Sequence, residues 1–214
     1  MVHPTGLQAL DRVSIEVPRT LVHRPTNVVD RFEWSSLFPV NQPVELELGS
    51  GDGSFLARWA QQHPERNFVG VERLLGRLRK LDRKGLRAGL SNLRLVRLEA
   101  SYLLQFLIPP ASLSAIHVYF PDPWPKRRHR DRRLINELFT QHSVPVLIPG
   151  GHVWLRTDNA DYFEQMVSVF AANPQFQPVE TPEEQRQFIT DFERYFNAQG
   201  IPTLQAGYQL KPIG

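Results

Sequence analysis

The sequence predicts an α/β protein built on a mostly parallel sheet with helices on both faces. Three observations predict it. Strand-like and helix-like segments alternate from residue 44 onward, as βαβ units do. The strand Val44-Glu45-Leu46-Glu47-Leu48 runs into a glycine-rich turn that opens a helix. The chain has 214 residues, 41% hydrophobic and 22% charged, which is typical of one domain with its own core. In order, the pattern gives a helix over 54–62, a strand over 67–72 and a helix over 73–87 ending near Gly89. Strands over 93–98, 115–120 and 152–157 follow, with helices over about 131–142 and 160–172. Thr181-Pro182-Glu183-Glu184 reads as a capping box with proline at the first helical position. It predicts a last helix over 182–199, stopped by Gly200, before a strand over 204–210. Residues 1–43, rich in Pro, Val and Arg and without a long periodic pattern, read as an N-terminal arm ahead of a domain over 44–214.

Composition narrows the chemistry. The absence of cysteine removes disulfides, thiolate zinc sites, iron–sulfur clusters and a cysteine nucleophile together. The seven histidines show no ligand spacing, so no metal is implied. The N-terminus carries Asp11 and no apolar core of a signal peptide, and the most apolar stretch, 103–120, is interrupted by Pro109, Pro110 and His117. A soluble cytoplasmic protein is expected. Lys plus Arg number 25 against 22 Asp plus Glu, yet only Lys80, Lys84, Lys126 and Lys211 are lysines. Arginine suits bidentate phosphate binding and base stacking, and a compositional bias explains the ratio equally well.

Glu47-Leu48-Gly49-Ser50-Gly51-Asp52-Gly53 stands where a doubly wound sheet binds a nucleotide-like ligand. The third glycine comes one residue too early for a dinucleotide fingerprint. The pattern resembles motif I of class I S-adenosylmethionine-dependent methyltransferases, in which glycines let the backbone approach the ligand and an acid faces its ammonium. Taken alone, such a turn is equally a structural device. Glu72, ending the second strand, can accept both ribose hydroxyls or cap the following helix. Glu99, ending the third, stands where this class often has an acid near the adenine, or is an ordinary exposed carboxylate.

Phe120-Pro121-Asp122-Pro123-Trp124-Pro125-Lys126 is the most specific signal. Alternate prolines stiffen the loop, and Asp122 and Trp124, each before a proline, are expected to be extended. An acid, an indole and an ammonium held there suit a planar polar substrate, and a rigid connector with Trp124 in the core is the competing reading. Lys126-Arg127-Arg128-His129-Arg130-Asp131-Arg132-Arg133 follows, where basic residues at a helix start would oppose the macrodipole unless an anion relieves them. Arg73, Arg77, Lys80, Lys84 and Arg87 share one helix face, phosphate-binding or merely solvated, with Leu74, Leu75, Leu78 and Leu81 opposite.

The proline loop, Thr157-Asp158 and Thr190-Asp191-Phe192-Glu193 together resemble the bacterial tRNA (guanine-N7-)-methyltransferase family, over about residues 43–212 and with the arm outside the match. The resemblance implies a Rossmann-like class I methyltransferase fold, seven-stranded, with an antiparallel last strand. It implies methyl transfer from S-adenosyl-L-methionine to guanine at position 46 of the tRNA variable loop. Residue by residue, it places Glu47, Glu72, Glu99 and Asp122 at the methyl donor, Asp122 also at the catalytic position, and Lys126, Asp158 and Thr190 to Glu193 at the substrate. Glu99 departs from the family's usual Asp.

On one continuous helix, Thr190 and Glu193 would be free while Phe188, Phe192 and Tyr195 face the core. Glu193 and Asp158 could then accept from the Watson–Crick edge of guanine, unless Asp158 caps the next helix. Guanine N7 has an in-plane lone pair, so Asp122 is expected to act electrostatically and not as an obligatory base. Arg127, Arg128 and Arg130 are candidates for RNA phosphate contacts. An exocyclic-amine methyltransferase and a non-catalytic RNA-binding protein are the rival readings. The first is disfavoured by the missing second proline after Asp122, the second by the intact acidic strand ends.

Overall fold

Parallel strands covered on both faces must be buried along their length. In the computed structural model, which describes residues 19–212, the inner strands Val44–Leu48 and Asn67–Val71 meet that demand without an exposed residue. The chain runs through β1 (Val22–His23), α1 (Trp34–Leu37), β2 (Val44–Leu48), α2 (Leu56–Gln62), β3 (Asn67–Val71), α3 (Leu75–Arg87) and β4 (Leu93–Val96). Then come α4 (Ala100–Tyr102), which continues into a π-helical turn, and β5 (Leu113–Tyr119). A 3-10 helix over Arg127–Arg132 precedes α5 (Glu137–Val146), β6 (Leu147–Thr157) and α6 (Ala160–Ala171). The chain closes with β7 (Phe176–Val179), α7 (Glu183–Gln187), α8 (Asp191–Asn197) and β8 (Leu204–Leu210).

The sheet order is β1-β4-β3-β2-β5-β6-β8-β7, parallel except that β8 inserts antiparallel between β6 and β7. It has eight strands where seven are expected. The addition is β1, two residues paired with β4 at the edge. Those residues belong to the arm, whose described part enters the core: Leu21 is fully buried, and Phe32, Leu37 and Phe38 are buried. Leu21 lies on α3 at Gly85, where any side chain would collide with it, and its carbonyl accepts the Leu95 N–H at 2.9 Å. The expectations on residues 1–18 lie outside the described residues. Among the described residues no helix is long and apolar enough to cross a membrane.

Four local expectations are corrected. The single helix over 182–199 is two, because Thr190 starts a new one: its hydroxyl accepts the Glu193 N–H and the Glu193 carboxylate accepts the Thr190 N–H, a complete capping box. Pro182, by contrast, sits at the start of α7 with no side-chain cap. The break rotates α8, so Thr190 and Glu193 are buried while Phe192 and Tyr195 are 40% and 65% exposed, the reverse of the continuous-helix arrangement; Phe188 alone stays in the core. The basic run is the 3-10 helix, and α5 begins later, at Glu137, so its start carries an acid and Asn136 as cap. Of the four leucines expected on the inner side of α3 only Leu78 and Leu81 are buried; Leu74 and Leu75 are 49% and 38% exposed, since the helix begins at Leu75 and they flank its entry.

Removing the Leu21 side chain leaves a cavity beneath β1 and α3. Leu21→Ala should lower the unfolding free energy by about 2–5 kcal/mol, the usual cost of such a truncation. Urea titration followed by circular dichroism checks it, and a loss below about 1 kcal/mol would show that the arm packs loosely.

Candidate functional site

Strand order reverses between β2 and β5, which lie side by side although β3 and β4 separate them in sequence. Ligands of doubly wound sheets bind outside the carboxyl ends of the strands at such a point. The glycine turn leaves β2 there and the proline loop leaves β5.

The glycine turn is held to the end of β3. Gly49 and Ser50 N–H donate to the Val71 carbonyl, both at 2.9 Å, and Gly51 N–H donates to Glu72 Oε2 at 3.1 Å. Glu72 Oε1 accepts Leu74 N–H at 2.7 Å, from the residue before the first helical turn, so Glu72 braces the entry to α3 without capping it and keeps a free lone pair on each oxygen. Gly49 is left-handed, φ +80°, with open space where a side chain would stand. Gly53, φ +77°, instead packs its backbone onto Leu81 of α3 and lines neither cavity described below.

Two adjoining cavities open at this edge. One of 410 Å³ is lined by Glu47, Gly49, Gly51, Lys80 and the segment Thr190 to Phe192. The other, 250 Å³, is lined by Glu72, Glu99, Asp122, Trp124 and Arg132, and both share Gly49, Arg77, Tyr119 and Phe120. Glu47 is 4% exposed and its Oε2 has no hydrogen-bond partner. Burial, reinforced by the negative charges of Glu72 and Asp52 and opposed by Arg156, pushes its pKa up to about 8. An unpartnered buried carboxylate oxygen facing a cavity is what a ligand cation would satisfy. Glu99 caps α4 through Tyr102 N–H at 2.8 Å and keeps an exposed carboxylate.

In the proline loop, Asp122 is exposed at the second cavity. Trp124 is not extended as expected: it has φ +42°, and Phe120, also before a proline, has φ +52°. Two non-glycine residues in the left-handed region cost about 1–3 kcal/mol each and must be held from outside the loop. Arg133 supplies one hold. Its buried guanidinium donates to the Pro123 carbonyl at 2.7 Å, to Gln165 Oε1 at 2.8 Å and to Asp161 at 2.5 Å, and lies 4.7 Å over the Tyr162 ring. Arg156 supplies the other: its carbonyl accepts Phe120 N–H at 2.8 Å. Its side chain, 2% exposed, reaches α7 and α8. Neither arginine stands out by spacing. The available signal is that each lies next to a site motif, Arg133 closing the basic run and Arg156 just before Thr157-Asp158.

Lys126, Arg127 and Arg128 are exposed and Asp158 is half-buried, and none of the four lines either cavity. Asn159, not Asp158, caps α6 by accepting Tyr162 N–H at 2.9 Å. Arg130 is paired with Asp161 at 2.6 Å. Asp191 and Phe192 line the first cavity, whereas the Glu193 carboxylate is engaged by Arg156 and by the Thr190 N–H. Among the described residues no three His, Cys, Asp or Glu side chains are grouped as a metal site requires.

A glycine turn and four acidic residues at strand ends meet at the edge of a class I methyltransferase fold. The fold is that of the 16S rRNA methyltransferase KamB, with a TM-score of 0.60 and 18% identity over 84% of this chain and 93% of that one. It is also that of a Streptococcus mutans protein described as "a putative methyltransferase" in complex with SAH, with a TM-score of 0.53, 11% identity, and 85% and 90% coverage. The profile of a family described as "Putative methyltransferase" matches residues 41–206. A Lactobacillus delbrueckii tRNA (guanine-N(7)-)-methyltransferase is 32% identical over 92% of this chain and 94% of its own. One from Thermotoga maritima is 36% identical over 80% of this chain, a match that takes in 55% of the relative's own length; for a Levilactobacillus brevis relative the share is 60%. The chain belongs to the bacterial tRNA (guanine-N(7)-)-methyltransferase family.

The raised pKa of Glu47 makes a stability prediction. Folded Glu47 holds its proton to about pH 8 and the unfolded residue loses it near 4.5, so its contribution is complete below pH 4.5 and lost as pH rises through 8. Glu47→Gln should therefore flatten the fall in melting temperature between pH 5 and 8, by several degrees at about 2–4 °C per kcal/mol. Calorimetric melts of the ligand-free protein check it, and parallel pH profiles would refute it.

Proposed function

We propose that the protein transfers a methyl group from S-adenosyl-L-methionine to N7 of guanine at position 46 in the variable loop of tRNA. The observation that carries this reading is the meeting of Glu47, Glu72, Glu99 and Asp122, from four strand ends, around two adjoining cavities. The curated name shared by relatives at 32–38% identity supports it.

The residues present fit the methyl donor. The unpartnered Glu47 oxygen suits its ammonium, the remaining Glu72 lone pairs suit ribose hydroxyls, and the open left-handed Gly49 lets a ligand lie on the backbone. When bound, it supplies an electrophilic methyl: the N7 lone pair forms the new bond to carbon, sulfur keeps the electrons of the bond that breaks, and the base becomes cationic. Asp122 favours that developing positive charge and orients the base, with no proton removed before transfer. Trp124 and Phe192 give flat apolar faces to the base, and Asp158 and Lys126 approach from outside the cavities. Arg127 and Arg128 hold phosphates. Arg130, committed to Asp161, contributes less.

Tritiated methyl transfer to unfractionated tRNA, followed by nucleoside mass spectrometry, tests the whole reading, and a product other than 7-methylguanosine refutes it. Asp122→Asn should keep its melting temperature and tRNA affinity while single-turnover methylation falls at least about 100-fold, the scale of losing one preorganised electrostatic group. Parental turnover in the folded variant would make Asp122 a scaffold residue. Replacing both Arg127 and Arg128 by Ala should flatten the salt dependence of tRNA binding by up to about 0.7–0.9 log units per lost phosphate contact, leaving donor affinity unchanged. An unaltered slope in filter-binding titrations would reduce the run to solvated surface.

A further inference from the structure

Arg156 is a buried charge that the proposed chemistry leaves unused. It sits at the carboxyl end of β6, paired in register with Tyr119 of β5, and its guanidinium lies 4.6 Å over that ring. From there it satisfies the segment joining α7 to α8. Nη1 donates to the Phe188 carbonyl at 2.9 Å and to both Glu193 oxygens at 3.1 Å, and Nη2 donates to the Gln185 carbonyl. Glu193 passes this on by closing the capping box of α8.

The same residue works through its backbone. Its carbonyl takes the Phe120 N–H and so helps hold the left-handed start of the proline loop. Phe120 and Phe192 meet at 4.6 Å between ring centroids, on the wall of the first cavity. One side of this aromatic pair is fixed by the Arg156 carbonyl and the other by the Arg156 guanidinium. A surface ion pair could not do this, because only the planar fork reaches two carbonyls and a carboxylate at once.

Building on the function proposed above, we propose that Arg156 is a positioning residue for the target base, setting the Phe120–Phe192 wall and the start of α8 across the cavities. It touches neither base nor donor in this role, so its loss falls on RNA saturation more than on donor affinity.

The test uses the full chain with Arg156→Met, Arg156→Lys and the double change Arg156→Met with Glu193→Gln. The double variant removes both charges, so it stays informative if Arg156→Met alone fails to fold around an unpaired Glu193. In Arg156→Met, or in the double variant, amide hydrogen exchange over residues 188–194 should quicken at least about tenfold while α3 amides hold, since only the local opening free energy changes. The KM for tRNA should rise at least about tenfold and the calorimetric Kd for S-adenosylmethionine should stay within about threefold. Arg156→Lys, which keeps the charge but loses the fork, should recover part of both effects. Unchanged exchange over 188–194 in a folded variant, or a Kd loss as large as the KM rise, would overturn the proposal. If the parental protein methylated no tRNA, the functional reading would fall, and the exchange measurement would still decide whether Arg156 holds this wall.

Discussion

The reversal of strand order between β2 and β5 is the constraint on which the site depends. A parallel sheet sends every strand's carboxyl end to one edge, and loops leaving adjacent strands in opposite directions open a crevice there. Because β2 pairs with β3 on one side and β5 on the other, the glycine turn and the proline loop are neighbours although about seventy residues separate them in the chain. Glu72 and Glu99, from the β3 and β4 ends, reach the same crevice. What the topology cannot supply is the far wall. It comes from α8 and from the loop geometry at Phe120 and Trp124.

Those parts rest on buried charge. Arg133 and Arg156 each bring a delocalised cation inside the protein, and each is compensated by carbonyls, a carboxylate and an aromatic face. Such an arrangement contributes less to net stability than an apolar core of the same volume would. It also makes the loss of one partner costly, on the order of 3–5 kcal/mol. The advantage lies in geometry: a guanidinium imposes directions on the loops it binds, which apolar contact does not.

How far the sequence could be read follows from the same distinction. The βαβ pattern, the glycine turn and the acidic strand ends are local signals, and the sheet carries them to the expected edge. In β2 both Glu45 and Glu47 are buried. Glu45 finds Arg66 at 2.7 Å and His117 at 2.9 Å, and Glu47 faces the cavity, and neither partner is visible from sequence spacing. Thr190-Asp191-Phe192-Glu193 carries a capping box as legible as the one read at Thr181. The same four residues also fit a ligand motif on a continuous helix, and in that arrangement neither the break nor the inversion of the polar and aromatic sides is visible. The left-handed Trp124 is likewise a tertiary effect, since local preference before proline opposes it and Arg133 bonds the adjacent Pro123 carbonyl.

The excess of arginine over lysine then acquires two separate physical reasons, divided by position. Inside, Arg133 and Arg156 need the rigid fork, and lysine would leave carbonyls unbonded. Outside, Arg73, Arg77, Lys80 and Arg132 are exposed and line the crevice together with Glu47, Asp52, Glu72, Glu99 and Asp122, and Arg127 and Arg128 are exposed beyond it. Buried carboxylates at Glu47 and Glu72 and exposed cations beside them sort ligands by charge and depth. A small cation gains by entering and a polyanion gains by lying across the mouth, so the two do not compete for the same ground. Screening acts unequally on the two layers, because the exposed side chains are in solvent while Glu47 is buried. On the proposed function, added salt should therefore loosen a bound polyanion before a small cation, the order that a methyl donor held deep and an RNA held at the surface would require.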